Sequence, residues 1–217
     1  MSIKLQKNYW DQRYASGGSS GGGSIGPLRD WKWGILELYL DEINHVIDYG
    51  CGDLSFWEGR TCSDYLGIDV SEEILRRNRS IRPEWKFLST DALFACSILR
   101  KPIVLCFDVL FHIIPEDDFL RVLTNISSLS SEWIFVCTWL KNPFNFRYFI
   151  DLGRKEKNLI TVFKGLKYVY RKNTDGVYQK YRPLSEYYDY FKEFELLNII
   201  PYPNDIDGMY VFKRHEK

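Results

Sequence analysis

Five short, nearly unbroken apolar runs constrain this chain more than any other feature. They are "HVIDYG" (45–50), "YLGIDV" (65–70), "WKFLST" (85–90), "PIVLCFDVLF" (102–111) and "EWIFVCTW" (132–139). Each has the length of a strand, without the strict alternation of one wet on one face. Such runs suit a parallel sheet covered on both sides. Helical patterns stand between them. Pro27 followed by Leu28, Trp31, Ile35 and Leu38 predicts a helix with one apolar stripe. Ser71 is placed to cap "EEILRRNR", with Glu72 and Glu73 in the electropositive first turn. Pro115 with Glu116, Asp117 and Asp118 opens another helix, whose Phe119, Leu123 and Ile126 share a face. Ser185 is expected to cap a helix carrying Tyr187, Phe191 and Phe194. Two further strands, "ELLNIIPY" (195–202) and "GMYVFKR" (208–214), have only a short turn-rich link and should pair antiparallel. The expected architecture is a doubly wound α/β sheet of seven strands, mostly parallel.

Residues 140–183 break this rhythm. They are rich in aromatic and basic side chains, and "KYVYRKNTDGVYQKYR" predicts a hairpin around "NTDG". The segment reads as an insertion over one end of the sheet within a single domain of 217 residues. Lysine plus arginine and aspartate plus glutamate balance at 29 each, so no whole-protein field holds nucleic acid or an anionic membrane. No stable nucleic-acid partner is expected. The five cysteines stand singly, which argues against a disulfide framework or a zinc site. No metal is expected. Isolated thiols, the lack of a signal-like apolar stretch in "MSIKLQKNYW" and the lack of a run of about 20 apolar residues predict a cytoplasmic protein without a membrane span.

Chemistry concentrates at "VIDYGCGDLSFW". A strand ends in Asp48, and Gly50 and Gly52 mark a tight turn. Leu54 and Ser55 stand where a longer glycine pattern would continue, so the turn alone is compatible with an ordinary strand-to-helix connection. Asp69 ends the second strand 19 residues after Gly50, the distance at which an acid meets ribose hydroxyls. Asp91 ends the third strand in "STDAL", placed to accept from an adenine amino group. A capping or turn role is the competing reading for both acids. Together with the turn, the three acids form a nucleoside-shaped set.

On "VIDYGCGD", "YLGIDVS", "STDAL" and "FDVLFHIIPEDDF", the chain resembles the class I S-adenosylmethionine-dependent methyltransferases over roughly residues 9–139. The resemblance implies a Rossmann-like fold, S-adenosyl-L-methionine as cofactor, and methyl transfer as the reaction. It implies that Asp48, Gly50, Cys51 and Gly52 lie at the methionine half of the cofactor. Asp69 and Val70 then lie at the ribose and Asp91 and Ala92 at the adenine, with Asp108 on the cofactor side of the fourth strand. It further implies that residues 1–30 form a lid, with Arg13 toward the cofactor carboxylate and Tyr9 and Tyr14 beside the sulfonium, where cation–π attraction helps. The glycine-serine run of residues 16–26 then becomes a hinge or an amide-lined loop, against the alternative of a plain connector.

The acceptor is less defined. The fourth strand ends "FDVLFH", without the N/D-P-P-Y of base amino-methyltransferases, and "VLFHI" resembles small-molecule members. His112 is the candidate base for a hydroxyl acceptor, against a structural role under the cofactor. Trp139, Arg147, Tyr170 and Tyr181 are the candidate acceptor contacts. The expected acceptor is a small molecule or a saccharide, including a nucleotide sugar. Alternatives are a macromolecular acceptor (RNA or protein), a non-catalytic binding module, and a nicotinamide-dependent oxidoreductase.

Overall fold

The computed structural model describes residues 3–95, 100–143, 170–172, 178–203 and 206–216. It contains helices α1 (Ile3–Ala15), α2 (Gly26–Tyr39), α3 (Glu72–Ile81) and α4 (Glu116–Leu129). Its strands are β1 (Val46–Tyr49), β2 (Tyr65–Asp69), β3 (Lys86–Ser89), β4 (Lys101–Phe107), β5 (Ser130–Trp139), β6 (Tyr170–Lys172), β7 (Tyr178–Lys180), β8 (Phe194–Pro201) and β9 (Asp207–Arg214). Seven of them form one sheet in the order β3-β2-β1-β4-β5-β9-β8. The first five are parallel neighbours, while β9 runs antiparallel to both β5 and β8. The expected mostly parallel α/β sheet is the one observed.

Burial explains why the central runs lack alternation. Every residue of β1 and β2 is buried. Neighbours in sequence feed opposite faces. Val46, Ile103, Leu105 and Phe135 pack with Trp33 and Leu36 of α2 and Leu75 of α3. On the other face Ile47, Val104 and Ile134 pack with Phe119, Leu123 and Ile126 of α4. An aromatic group closes the first layer: Tyr65 stacks on Trp85 at 4.2 Å between ring centres, and Trp57 meets both edge-on.

Several local expectations change. The buried face of α2 is Lys32, Trp33, Ile35 and Leu36, while Leu38 is 73% exposed. Trp33 stacks on Phe56 and donates to the Phe56 carbonyl, which turns the helix away from the predicted stripe. β4 stops at Phe107 rather than continuing to Phe111, because Asp108 takes a left-handed φ of 60°. The helix expected after Ser185 is a 3-10 segment, Leu184–Phe191, with Pro183 at its N-cap and a non-helical Tyr187. Phe194 belongs to β8. The hairpin pairing is present, with β6 antiparallel to β7, while its "NTDG" tip lies outside the described residues.

Arg182, between β7 and the Leu184–Phe191 segment, is buried and holds the segment that follows β4. Its guanidinium donates to the carbonyls of Ile113 and Ile114, both at 2.6 Å, and to Glu116 Oε2 at 2.9 Å. It also lies over the Phe119 ring.

Packing beside β1 leaves no slack at Gly67. A Cβ there would sit 2.8 Å from the Phe87 ring and 2.9 Å from Cys51 Sγ. Gly67→Ala is therefore expected to lower the unfolding free energy in urea by about 1–3 kcal/mol, the usual cost of overpacking.

Candidate active site

The carboxyl ends of β1, β2, β3 and β4 open into one cleft, as open α/β sheets provide at the reversal of strand order. Gly50, Gly52, Asp69, Val70, Thr90, Asp91, Asp108, Val109 and His112 line it from the sheet side. Gln6, Trp10 and Tyr14 line it from α1, and Ser20 and Ser24 from the glycine-serine loop. Its empty space is about 1120 Å3, open mouth included.

The glycine turn has a physical cause within the protein. Gly50 and Gly52 have φ of 85° and 51°, in the left-handed region. A Cβ on Gly50 would collide with Val109, and one on Gly52 with Ser20 Oγ. The room that the missing side chains leave is thus filled by the chain's own cleft wall. Asp69 then fixes the turn. Its Oδ2 accepts from the Gly52 amide at 3.0 Å and its Oδ1 from the Ser71 amide at 2.9 Å. Burial pushes the Asp69 carboxyl up to about 6, against the pull of these amides.

Asp48 lies outside the cleft lining. Its Oδ2 accepts from Trp57 Nε1 at 2.8 Å and from the Tyr65 hydroxyl at 2.9 Å, in the core under the turn. Burial raises it to about 6, with the two donors opposing. Cys51 is buried beside it and also lies outside the lining.

Helix α1 covers the cleft through polar contacts. Gln6 Nε2 donates to the His112 carbonyl. Lys7 pairs with Asp91 at 3.6 Å. Asp11 Oδ1 accepts from Ser71 Oγ at 2.6 Å and from the Glu73 amide, docking α1 on the start of α3. Trp10 meets the His112 ring edge-on at 5.4 Å. Burial, with the Asp69 charge, pushes the Tyr14 phenol far above its ordinary value, so it stays protonated.

The glycine-serine run is tied down at both ends. The Ser20 amide donates to Asp53 Oδ2 at 2.9 Å, and the Asp53 amide donates back to Ser20 Oγ at 2.7 Å. Arg13 Nε donates to the Ser19 carbonyl at 2.7 Å and its Nη1 to the Tyr9 hydroxyl at 3.0 Å. Beyond these, Lys32 Nζ donates to the Gly23 carbonyl at 2.8 Å and to Asp108 Oδ2 at 2.5 Å. Burial works against the Lys32 charge, while Asp108 and, behind it, Cys137 and Asp207 together hold the ammonium above its usual value.

Of the predicted cofactor residues, the cleft brings together Tyr14, Gly50, Gly52, Asp69, Val70, Asp91 and Asp108, along with the predicted base His112. Tyr9, Arg13, Asp48, Cys51 and Ala92 are not among its lining residues. Of the predicted acceptor contacts, Trp139 stacks face to face on Phe111 at 4.4 Å, and the Tyr181 hydroxyl donates to the Leu140 carbonyl. Neither lines this cleft. Tyr170 is described only as backbone in β6, and Arg147 lies outside the described residues. Not marked in the sequence are the lining residues Gln6 and Trp10 and a polar row on α4, Asp118, Arg121 and Asn125, nor is Lys32, which lies behind the lining on Asp108. The row was visible as i, i+3, i+7 spacing beside the apolar face. Arg121 donates to Asp118, and Asn125 Nδ2 to the Tyr49 hydroxyl at 3.2 Å. Among the described residues no group of three or more His, Cys, Asp or Glu is arranged to hold a metal. No described helix is long and apolar enough to cross a membrane.

No protein-family model matches the chain, and no curated protein matches it. Solved structures match over nearly its whole length. A SAM-dependent methyltransferase from Anabaena variabilis is 14% identical with a TM-score of 0.67, covering 98% of this chain and 95% of that one. Magnesium protoporphyrin IX methyltransferase from Synechocystis, with bound S-adenosylhomocysteine, is 14% identical with a TM-score of 0.64, covering 99% and 100%. The 1,6-didemethyltoxoflavin-N1-methyltransferase of Burkholderia thailandensis is 10% identical with a TM-score of 0.61, covering 100% and 92%. The fold is that of the class I methyltransferases.

The buried Asp48 yields a stability test. Asp48→Ala strands the Trp57 and Tyr65 donors, at about 1–3 kcal/mol for each. Asp48→Asn keeps an acceptor and removes the buried charge, so it should be the milder variant in urea denaturation.

Proposed function

We propose that the protein is an S-adenosylmethionine-dependent methyltransferase that methylates a hydroxyl of a small molecule or saccharide. The observation that carries the cofactor half is the convergence of Asp69, Val70 and Asp91 with the glycine turn on one cleft. The lining fits a nucleoside: acceptor carboxylates at the last residue of β2, Asp69, and in the 3-10 turn Thr90–Ala95 just beyond β3, Asp91, with apolar Val70, Val109 and Ile113 in the same lining. The sheet order also argues against a dinucleotide dehydrogenase, because β9 lies antiparallel between β5 and β8. The dinucleotide order ends in a further parallel strand.

S-adenosylmethionine supplies a methyl group on sulfonium sulfur, whose S–C bond breaks as the bond to the acceptor atom forms, leaving S-adenosylhomocysteine. The chain's own part is alignment, exclusion of water and management of the acceptor proton. Asp69 is suited to accept ribose hydroxyls on the lone pairs its two amide donors leave. Asp91 is suited to the adenine side, and Tyr14 and Trp10 offer ring faces near the turn. His112, in the 3-10 turn Leu110–His112 on the cleft wall, is the residue assigned to take the acceptor proton. The α1 cover favours a small acceptor over a macromolecular one. Small acceptors also fit two of the structural neighbours, which by name act on magnesium protoporphyrin IX and 1,6-didemethyltoxoflavin.

Calorimetric titration with S-adenosylmethionine and with NAD tests the reading. Heat with the sulfonium compound alone supports it, and NAD binding with none for the sulfonium overturns it. Asp69→Ala is expected to weaken binding by the loss of charge-assisted bonds, about 1.5–3 kcal/mol. Unchanged affinity would place the ribose elsewhere.

The same residue sets the pH dependence. The folded Asp69 carboxyl lies near 6, above its ordinary value, because of burial. Its contribution to the stability of the ligand-free protein is therefore fullest at acid pH and is lost as pH rises through about 6. Hydroxyl donors favour the ionised form. Affinity is expected to fall as pH drops below about 6, by up to about tenfold per pH unit.

A further inference from the structure

A lysine in the middle of a helix is ordinarily a surface residue, its head in water. Lys32 is 1% exposed and faces the sheet. An ammonium is taken out of water only at a cost that close partners must offset. Its two partners belong to different elements, one in the cleft wall and one in the loop beside it. Asp108 is the first residue beyond β4, held at a left-handed φ of 60° with its side chain 21% exposed in the wall. Gly23 is in the Gly22–Ser24 turn of the glycine-serine loop. One ammonium thus joins the sheet end, the loop and α2.

Gly23 adds a second, independent observation. A Cβ at that position would run into Asp108 Oδ2, and it would come within 3.4 Å of Lys32 Nζ. Gly22 and Gly21, its neighbours, have nothing within 4 Å of such an atom. Glycine is therefore demanded at Gly23 by space and merely tolerated at Gly22, while Gly21 is set by its backbone, at a φ of 109°. Asp108 cannot swing aside to make room, because Lys32 holds the very oxygen that a side chain would strike.

We propose that Lys32 is a positioning residue that seats the glycine-serine loop on the cleft by clamping the Gly23 carbonyl and the Asp108 carboxylate together. The seated loop places Ser24 in the cleft wall and Ser20 against Gly52 and Asp53. Its service to a cofactor rests on the methyltransferase reading. The clamp itself does not.

Hydrogen exchange of the ligand-free protein tests the clamp. The readout is the amides of Gly18, Ser20 and Ser24, which donate to Arg13 O, Asp53 Oδ2 and Gly21 O. Lys32→Met and Gly23→Ala are each expected to speed exchange at Ser20 and Ser24 about tenfold, with far less change in the sheet. Because both act through one contact, Gly23→Ala in the Lys32→Met background should add less than about twofold. Where Lys32→Met fails to fold, Asp108→Ala replaces it, since removing the carboxylate removes the collision. Unchanged exchange in Gly23→Ala, or fully additive effects in the double variant, overturns the proposal. Calorimetry with S-adenosylmethionine supplies the second arm, with about tenfold weaker binding expected for Gly23→Ala, whose own atoms are outside the cleft lining. A wild-type protein that fails to bind S-adenosylmethionine removes the cofactor reading, and exchange still decides the clamp.

Discussion

The organisation of the cleft depends on one carboxylate. Asp69 receives the amide of Gly52 on one oxygen and that of Ser71 on the other. The first bond fixes the turn after β1 and the second fixes the entry to α3. Both elements would otherwise present unpaired amides to a concave, partly dry space, where such groups are costly. Ser71 in turn caps α3 at Ile74 and donates to Asp11, so the cover helix is registered against the same point. The residue proposed to hold the ribose is thus also the one that builds the cleft.

Two kinds of packing meet at that site. Beneath the sheet ends the core is aromatic and tightly filled, with Asp48 accepting the side-chain polar hydrogens of Trp57 and Tyr65. Above them the N-terminal helix is held both by apolar packing, with Tyr14 buried in the core and Trp10 against it, and by polar bonds to Asp91, His112, Ser71 and Glu73. A helix of this length is marginal by itself in water, so docking and helix formation are one event.

The centre of the sheet was legible because β1, β2 and most of β4 and β5 are buried on both faces and carry nearly uninterrupted apolar runs. The antiparallel final pair followed from its short link. Where the sequence misled, a specific contact had outweighed a pattern. The Trp33–Phe56 stack turned α2 off its predicted stripe, and the left-handed Asp108 cut β4 short. Asp69 was marked by its spacing from the glycine turn, and Asp91 by its place after the third apolar run, although the strand stops at Ser89 and Asp91 sits in the 3-10 turn that follows. Lys32 was not marked, because a buried lysine declares itself only when its distant partners are known. Its separation from Asp108, 76 positions along the chain, carries no local signal. Asp48 showed the converse limit, since its position beside the turn looks the same whether its side chain faces a ligand or a tryptophan.

The direction of β9 has a practical consequence. β9 begins opposite Trp139, at the cleft end of β5, and runs back until Lys213 pairs with Trp133. The chain therefore leaves the sheet at the pole farthest from the cleft, while α1 crosses the cleft itself. Attachment to a surface or a fusion partner beyond Arg214 leaves the mouth open to solution. The same attachment ahead of Ile3 puts the added mass at the doorway, where it competes with whatever the cleft admits.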